Sequence, residues 1–140
     1  MGTKRAGQDT EVDGSFPLDL RAPLEARRLL VALAGAVSSG ILTDLSLLLS
    51  EMVTNSLKHA GRAGRRVDVS IRAGPDAVRL EVRDAGPGFE PAPFITSPPA
   101  AGGGWGLFIV DHLASRWGTR PGGVVWAEMD YPAGGTPQGG

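Results

Sequence analysis

Between Ser50 and Ala60 the chain reads SEMVTNSLKHA, which gathers an acid, a carboxamide, a lysine and a histidine into one short stretch. A helix turns about 100° per residue, so Glu51, Asn55 and Lys58 fall within roughly 60° of one another on one face. A second cluster, Asp84-Ala85-Gly86-Pro87-Gly88-Phe89, puts a carboxylate at a strand end with glycines behind it. Such a carboxylate can reach a ligand while the backbone comes close to it. A third, Gly102-Gly103-Gly104-Trp105-Gly106-Leu107, stands directly before a helical stretch. Glycines there expose backbone N–H groups at the positive end of the helix dipole, a favourable place for phosphate.

These residues need elements to hold them. Phe16 to Leu20 alternates apolar and polar and predicts a short strand. Pro23 suits the first turn of a helix running to about Val37, with Leu24, Leu29, Leu30, Leu33 and Val37 at roughly helical spacing. Ser38, Ser39 and Gly40 break it. The next helix is expected from about Leu42 to Ala60, with Thr43 as N-cap, Gly61 as the stop, and Leu42, Leu45, Leu49 and Met52 as its core stripe. Val67, Val69 and Ile71, a Gly74-Pro75-Asp76 turn, then Val78, Leu80 and Val82 predict a hairpin ending at Asp84. From Ala85 to Gly104 there is no periodic signal, and loops of that length in compact domains are usually functional or mobile. A helix from about Trp105 to Ser115 and a strand pair around Pro121-Gly122-Gly123 close the chain, with Trp117 and Trp126 expected as sheet-core aromatics. The order β-α-α-β-β-loop-α-β-β predicts an α/β (α+β) two-layer sandwich, helices on one face of a mostly antiparallel sheet.

Composition narrows the function classes. The 140 residues suffice for one domain with one core, expected over 15–131, with 1–14 and 132–140 as disordered ends. A net charge of −1 argues against a nucleic-acid or anionic-membrane binder working by bulk charge. Arg62, Arg65 and Arg66 read as a solvated loop. The absence of cysteine excludes disulfides, thiol catalysis and cysteine-ligated zinc. The first residues carry no apolar signal-peptide core, and no apolar run nears the ~20 residues that span a bilayer, so a cytoplasmic protein is expected.

Taken together, an acid–Asn helix, D-x-G-x-G after a strand and G-x-G-L opening a helix resemble the GHKL (Bergerat-fold) ATP-binding superfamily, over about Phe16 to Tyr131. SEMVTNSLKHA is similar to its N-box, DAGPGF to its G1 box and GGGWGLFIV to its G2 box. The short chain, its N-terminal strand and helix, and the ending SRWG followed by VVWAEM most resemble stand-alone anti-sigma regulatory serine/threonine kinases of actinobacterial type. The resemblance implies ATP and Mg²⁺ as cofactors. It implies that the Asn55 carboxamide ligates Mg²⁺, that Lys58 neutralises phosphate charge, and that Asp84 accepts a hydrogen bond from the adenine amino group. Gly86 and Gly88 would let the chain pass close to the base. Gly104, Trp105, Gly106 and Leu107 would form the lid over the triphosphate, with Trp105 departing from the small or polar residue often found there. Glu51 would be the general base, on a protein serine hydroxyl or on water.

The implied activity is that of a protein serine kinase that binds a sigma factor and phosphorylates an anti-anti-sigma (STAS-type) partner, with a homodimer as the implied assembly. The alternative is a binding module of the same fold, in which ATP orders the lid and a partner surface without phosphoryl transfer. Direct nucleic-acid and membrane partners are not expected. Nor is a gyrase-type clamp, which uses domains a chain this short does not hold. Taken singly, Glu51 and Asn55 would be a solvated helix face, Lys58 a surface lysine and Asp84 a turn residue. His59 reads as packing at a helix end, and His112 has no partner at metal spacing. There is no G-x-x-x-x-G-K-[ST] and no G-x-S-x-G, and the glycine run fails G-x-G-x-x-G because Leu107 stands at the third glycine.

Overall fold

Val67, Val69 and Ile71 alternate with Asp68, Ser70 and Arg72, and the chain forms an extended strand whose apolar residues are all buried. A computed structural model describes residues 10–60, 65–84 and 105–132, apart from the side chains of residues 59, 60 and 105–107. Its elements are β1 (Thr10–Pro17), α1 (Ala22–Arg28), a 3-10 segment (Leu29–Leu33), α2 (Ser39–Ala60), β2 (Arg66–Ala73), β3 (Ala77–Arg83), α3 (Trp105–Leu113), β4 (Arg116–Arg120) and β5 (Val124–Asp130). The strands form a five-stranded sheet in the order β1-β2-β3-β5-β4, antiparallel at every pairing.

One face of the sheet is apolar. Val69 stands opposite Val82, Val82 opposite Val125, and Leu80 opposite Ala127, and all are buried beneath the helices with Leu45, Leu48, Leu49, Met52 and Val110. Fully burying a Leu, Val or Ile side chain contributes about 1.5–3 kcal/mol, so this one cluster dominates stability. The result is a two-layer α/β sandwich with the helices on one side.

Four local readings are corrected. β1 begins at Thr10, ahead of Phe16 and inside the stretch expected to be a disordered end. The first helix is α for only seven residues and then tightens to 3-10. The tightening has a packing reason: residues i and i+3 eclipse in a 3-10 helix, which stacks Leu30 and Leu33, 5% and 0% exposed, on one buried face. The cap of α2 is Ser38, not Thr43. Ser38 Oγ accepts from the Ile41 N–H at 3.2 Å, while Thr43 Oγ1, already inside the helix, donates to the Ser39 carbonyl at 3.0 Å. Finally, Trp126 is not a core aromatic. Its neighbours Val125 and Ala127 occupy the buried face, so the period of two puts Trp126 on the outer face, where the Arg79 guanidinium lies 4.7 Å from its ring centre. Trp117 does pack against the core, and its Nε1 donates to Asp111 Oδ1 at 3.0 Å. The proposed stop at Gly61 lies outside the described residues.

Candidate functional site

The polar stripe of α2 lies on its last two and a half turns and grades from exposed to buried. Lys58 is exposed, Glu51 is half-buried, and Asn55 is 7% exposed. The burial of Asn55 follows from the core side of the helix, where Leu45, Leu48, Leu49, Met52 and Val53 are fixed, because Leu48 and Met52 point within roughly 60° of it. Arg27 of α1 reinforces it by donating from Nη1 to Ser50 Oγ at 3.0 Å, which ties the first helix to the turn that carries Glu51.

Asn55 is a buried polar side chain whose Nδ2 has no hydrogen-bond partner. An orphaned buried donor costs about 1–3 kcal/mol, and most buried polar atoms in folded proteins avoid that cost. Two more atoms share its condition among the described residues: Ser56 Oγ, on the next residue, and Arg65 Nη1, in the connection from α2 to β2. All three fall within the short span where α2 gives way to the sheet. The reading of Arg65 as part of a merely solvated loop is therefore corrected, since part of its guanidinium is buried. Its neighbour Arg66 is also tied down, donating from Nη2 to the Ser15 carbonyl at 3.1 Å.

Asp84 leaves β3 half-buried, and its backbone N–H donates to the Gly123 carbonyl at 3.1 Å. β2 and β3 pair Asp68 with Arg83. α2 packs against β3, the strand that Asp84 directly follows. From the helical layer α3 packs on α2 with Val110 fully buried, and Trp105, Gly106 and Leu107 form its first turn. The structure thus brings together the elements that carry Glu51, Asn55, Asp84 and the start of α3. Gly86, Gly88 and Gly104 lie outside the described residues, as do the side chains of Trp105 and Leu107 and that of His59. His112 serves its own helix, with Nδ1 2.9 Å from the Phe108 carbonyl and its ring against Phe108.

The donor set suits a hard cation that arrives with a polyphosphate. Asn55 offers a carboxamide oxygen, and Mg²⁺ is commonly held by one or two side-chain oxygens plus phosphate and water. Among the described residues no group of three His, Cys, Asp or Glu stands ready as a self-sufficient metal cage.

The outer face of the sheet is different in kind. Glu128 accepts from Arg116 Nε at 2.9 Å and from Arg79 Nη1 at 2.8 Å, Arg79 also donates to Glu81, and Arg116 reaches Asp130. The Arg116 guanidinium, with Arg79 behind it, holds the Glu128 carboxyl below its usual range, and Arg116 does the same to Asp130. Beside this network lies an open hollow of about 440 Å³ lined by Asp13, Ser15, Asp68, Ser70, Glu81 and Arg83. None of those side chains belongs to the three motifs. No helix of the described residues is long and apolar enough to cross a membrane.

Comparison with known proteins agrees with this architecture. A crystal structure of the RsbU and RsbW domains of Rv1364c from Mycobacterium tuberculosis superposes with a TM-score of 0.58 at 22% identity, covering 87% of this chain and 32% of that one. The chain therefore spans about a third of that structure, and the likeness is one of fold. No curated protein matches the sequence. The family model described as histidine kinase-like ATPase domain matches residues 16–126, a span running from the end of β1 into β5 and enclosing all three motifs, and the chain belongs to that family.

Proposed function

We propose that the protein is an ATP-dependent serine/threonine kinase of the anti-sigma type, which binds a sigma factor and phosphorylates a serine on an anti-anti-sigma, STAS-type partner. The observation that carries this reading is the buried Asn55, its Nδ2 without a partner, one turn beyond Glu51 on a helix that packs against the strand preceding Asp84. A stripe that only faced water would not bury its carboxamide. Membership of the histidine kinase-like ATPase family supports ATP as the nucleotide, and the fold shared with a structure containing an RsbW domain supports a regulatory setting.

In this reading Asp84 accepts from the adenine amino group, and the glycines around it, Gly86 and Gly88, let the backbone approach the base. Asn55 would hold Mg²⁺, which when bound would neutralise phosphate charge. Lys58, exposed at the rim, adds positive charge near the phosphates. Gly104 to Leu107 close over them. Glu51 takes the proton from the attacking serine hydroxyl, and the γ-phosphoryl group passes to that oxygen as the bond to the β-phosphate oxygen breaks. Positioning and charge neutralisation carry most of such a reaction, so few side chains suffice. A homodimer and a cytoplasmic setting complete the proposal.

The test is direct. Purified protein with Mg²⁺ and γ-labelled ATP should label a serine on a cognate partner, and Glu51→Ala should abolish labelling while retaining nucleotide binding. Tight ATP binding with no transfer to any candidate partner would instead favour the ATP-gated binding module.

A further inference from the structure

The strand register lays out the outer face of the sheet in rows. Along one row from β1 to β4 stand Glu11, Arg72, Arg79, Glu128 and Arg116. Along the next stand Asp13, Ser70, Glu81, Trp126 and Gly118. The two halves of this face differ in height. On β5 and β4 the Trp126 indole lies over Gly118, where an added Cβ would stand 3.1 Å from its Nε1, and the Arg79 guanidinium flanks the ring. On β1 and β2 the short side chains of Asp13, Ser15, Asp68 and Ser70 leave the open hollow of about 440 Å³. Among the described residues, Asp13 and Asp68 have no ion-pair partner and Trp126 Nε1 has no acceptor.

The raised half and the hollowed half lie on either side of the central strand, β3. A two-fold axis along β3 carries the raised half of one copy onto the hollow of another, with the strands of the two sheets aligned, an ordinary way for sheets to pack. The charges match as well. The same rotation sets β1 over β4 and β2 over β5, so Glu11 meets Arg116 of the second copy and Arg72 meets Glu128. Arg79 and Glu81, on the axis, meet their own copies, but each is already neutralised within its chain, Arg79 by Glu81 and Glu128, and Glu81 also by Arg120. An axis across the strands would instead set acid on acid along β1 and indole on indole. We propose that the outer face of the sheet is the interface between two copies of this chain, the Trp126 of each seated in the hollow between β1 and β2 of the other, with its Nε1 donating to Asp13. This gives the homodimer proposed above its surface and rests on that part of the reading. A two-fold interface has to be self-complementary, and buried Trp and Arg side chains at its centre carry most of the binding energy.

Sedimentation of the full chain over roughly 1–100 µM tests the surface. Wild type should sediment as a dimer. Ser70→Arg fills the hollow and Trp126→Ala removes what enters it, and each should raise the dimer dissociation constant about tenfold or more. Glu11→Arg and Arg116→Glu should each weaken the dimer too, because each brings like charges together at both ends of the interface. Mixed in equal amounts, these two variants should recover dimers, since each chain then supplies the charge the other lacks. A structural role alone would not produce that recovery. A wild-type monomer throughout the range overturns both the homodimer and this surface. Dimers that withstand Ser70→Arg and Glu11→Arg leave the homodimer standing and overturn the surface. Neither of those residues belongs to the core, so the outcome holds even if Trp126→Ala or Arg116→Glu fails to fold.

Discussion

The backbone N–H of Asp84 donates to the carbonyl of Gly123, 3.1 Å away, so the residue that leaves β3 is anchored by the turn between β4 and β5. That turn depends on glycine. Gly122 and Gly123 have φ of +92° and +76°, a region in which L side chains are disfavoured. Gly123→Ala should destabilise the fold by about 1–2 kcal/mol and also weaken ATP binding, because the grip on Asp84 moves with the turn. Gly122→Ala, with equal backbone strain but no bond to Asp84, should show the stability loss alone. Urea denaturation beside calorimetry separates the two, and identical binding by both variants would argue against the anchoring role.

Asp84→Asn should weaken ATP binding by about 1–3 kcal/mol, the range for losing a hydrogen bond to a charged group. The carboxamide keeps the shape and loses the fixed acceptor. Calorimetry with ATP and GTP reads the change, and unchanged ATP affinity would remove Asp84 from the base-binding role.

Asn55→Ala should leave the ligand-free fold within about 1 kcal/mol of wild type, since the Nδ2 of Asn55 makes no hydrogen bond there. Its effect should appear with nucleotide: the difference in thermal shift between ATP with and without Mg²⁺ should vanish. A variant that kept its full Mg²⁺ dependence would exclude residue 55 as the metal ligand.

The outer-face network predicts a pH dependence. Glu128 and Asp130 are held below their ordinary values of 4.5 and 3.8 in the folded protein. Their pairing therefore stabilises fully above those values and is lost as pH falls through the depressed native ones. Arg116→Gln should lower the urea midpoint at neutral pH and at pH 5, and the gap from wild type should close as the pH drops below about 4. Because Arg116 is half exposed, the gap should also narrow in high salt. A gap that widened in acid would contradict the sign.

How much of this was legible depends on the range of the interaction that decides each feature. β2 and β3 follow from alternation within eight residues, and their burial repeats that alternation. α2 follows from its leucine stripe. Its start was misread because Ser38 and Thr43 are both good cap residues, and the choice fell to the earlier one, whose carbonyl also accepts the Leu42 N–H. β1 was misread at its N-terminal end because Thr10 to Gly14 has few apolar residues and owes its strand form to pairing with Val69 to Ala73, far along the chain. The three motifs were readable as residue types, whereas the tie from Gly123 to Asp84 and the buried state of Ser56 and Arg65 were not. Those depend on tertiary contacts that no local pattern encodes.

The sheet order has a kinetic consequence. β2–β3 and β4–β5 are hairpins whose contacts are local, but β3 reaches β5 only after the chain from Asp84 to Gly123 has looped back. Contacts across long stretches of sequence form slowly because closing the loop is entropically unfavourable. The bond that seats Asp84 belongs to that seam, so nucleotide competence should mature after most helical signal has returned during refolding.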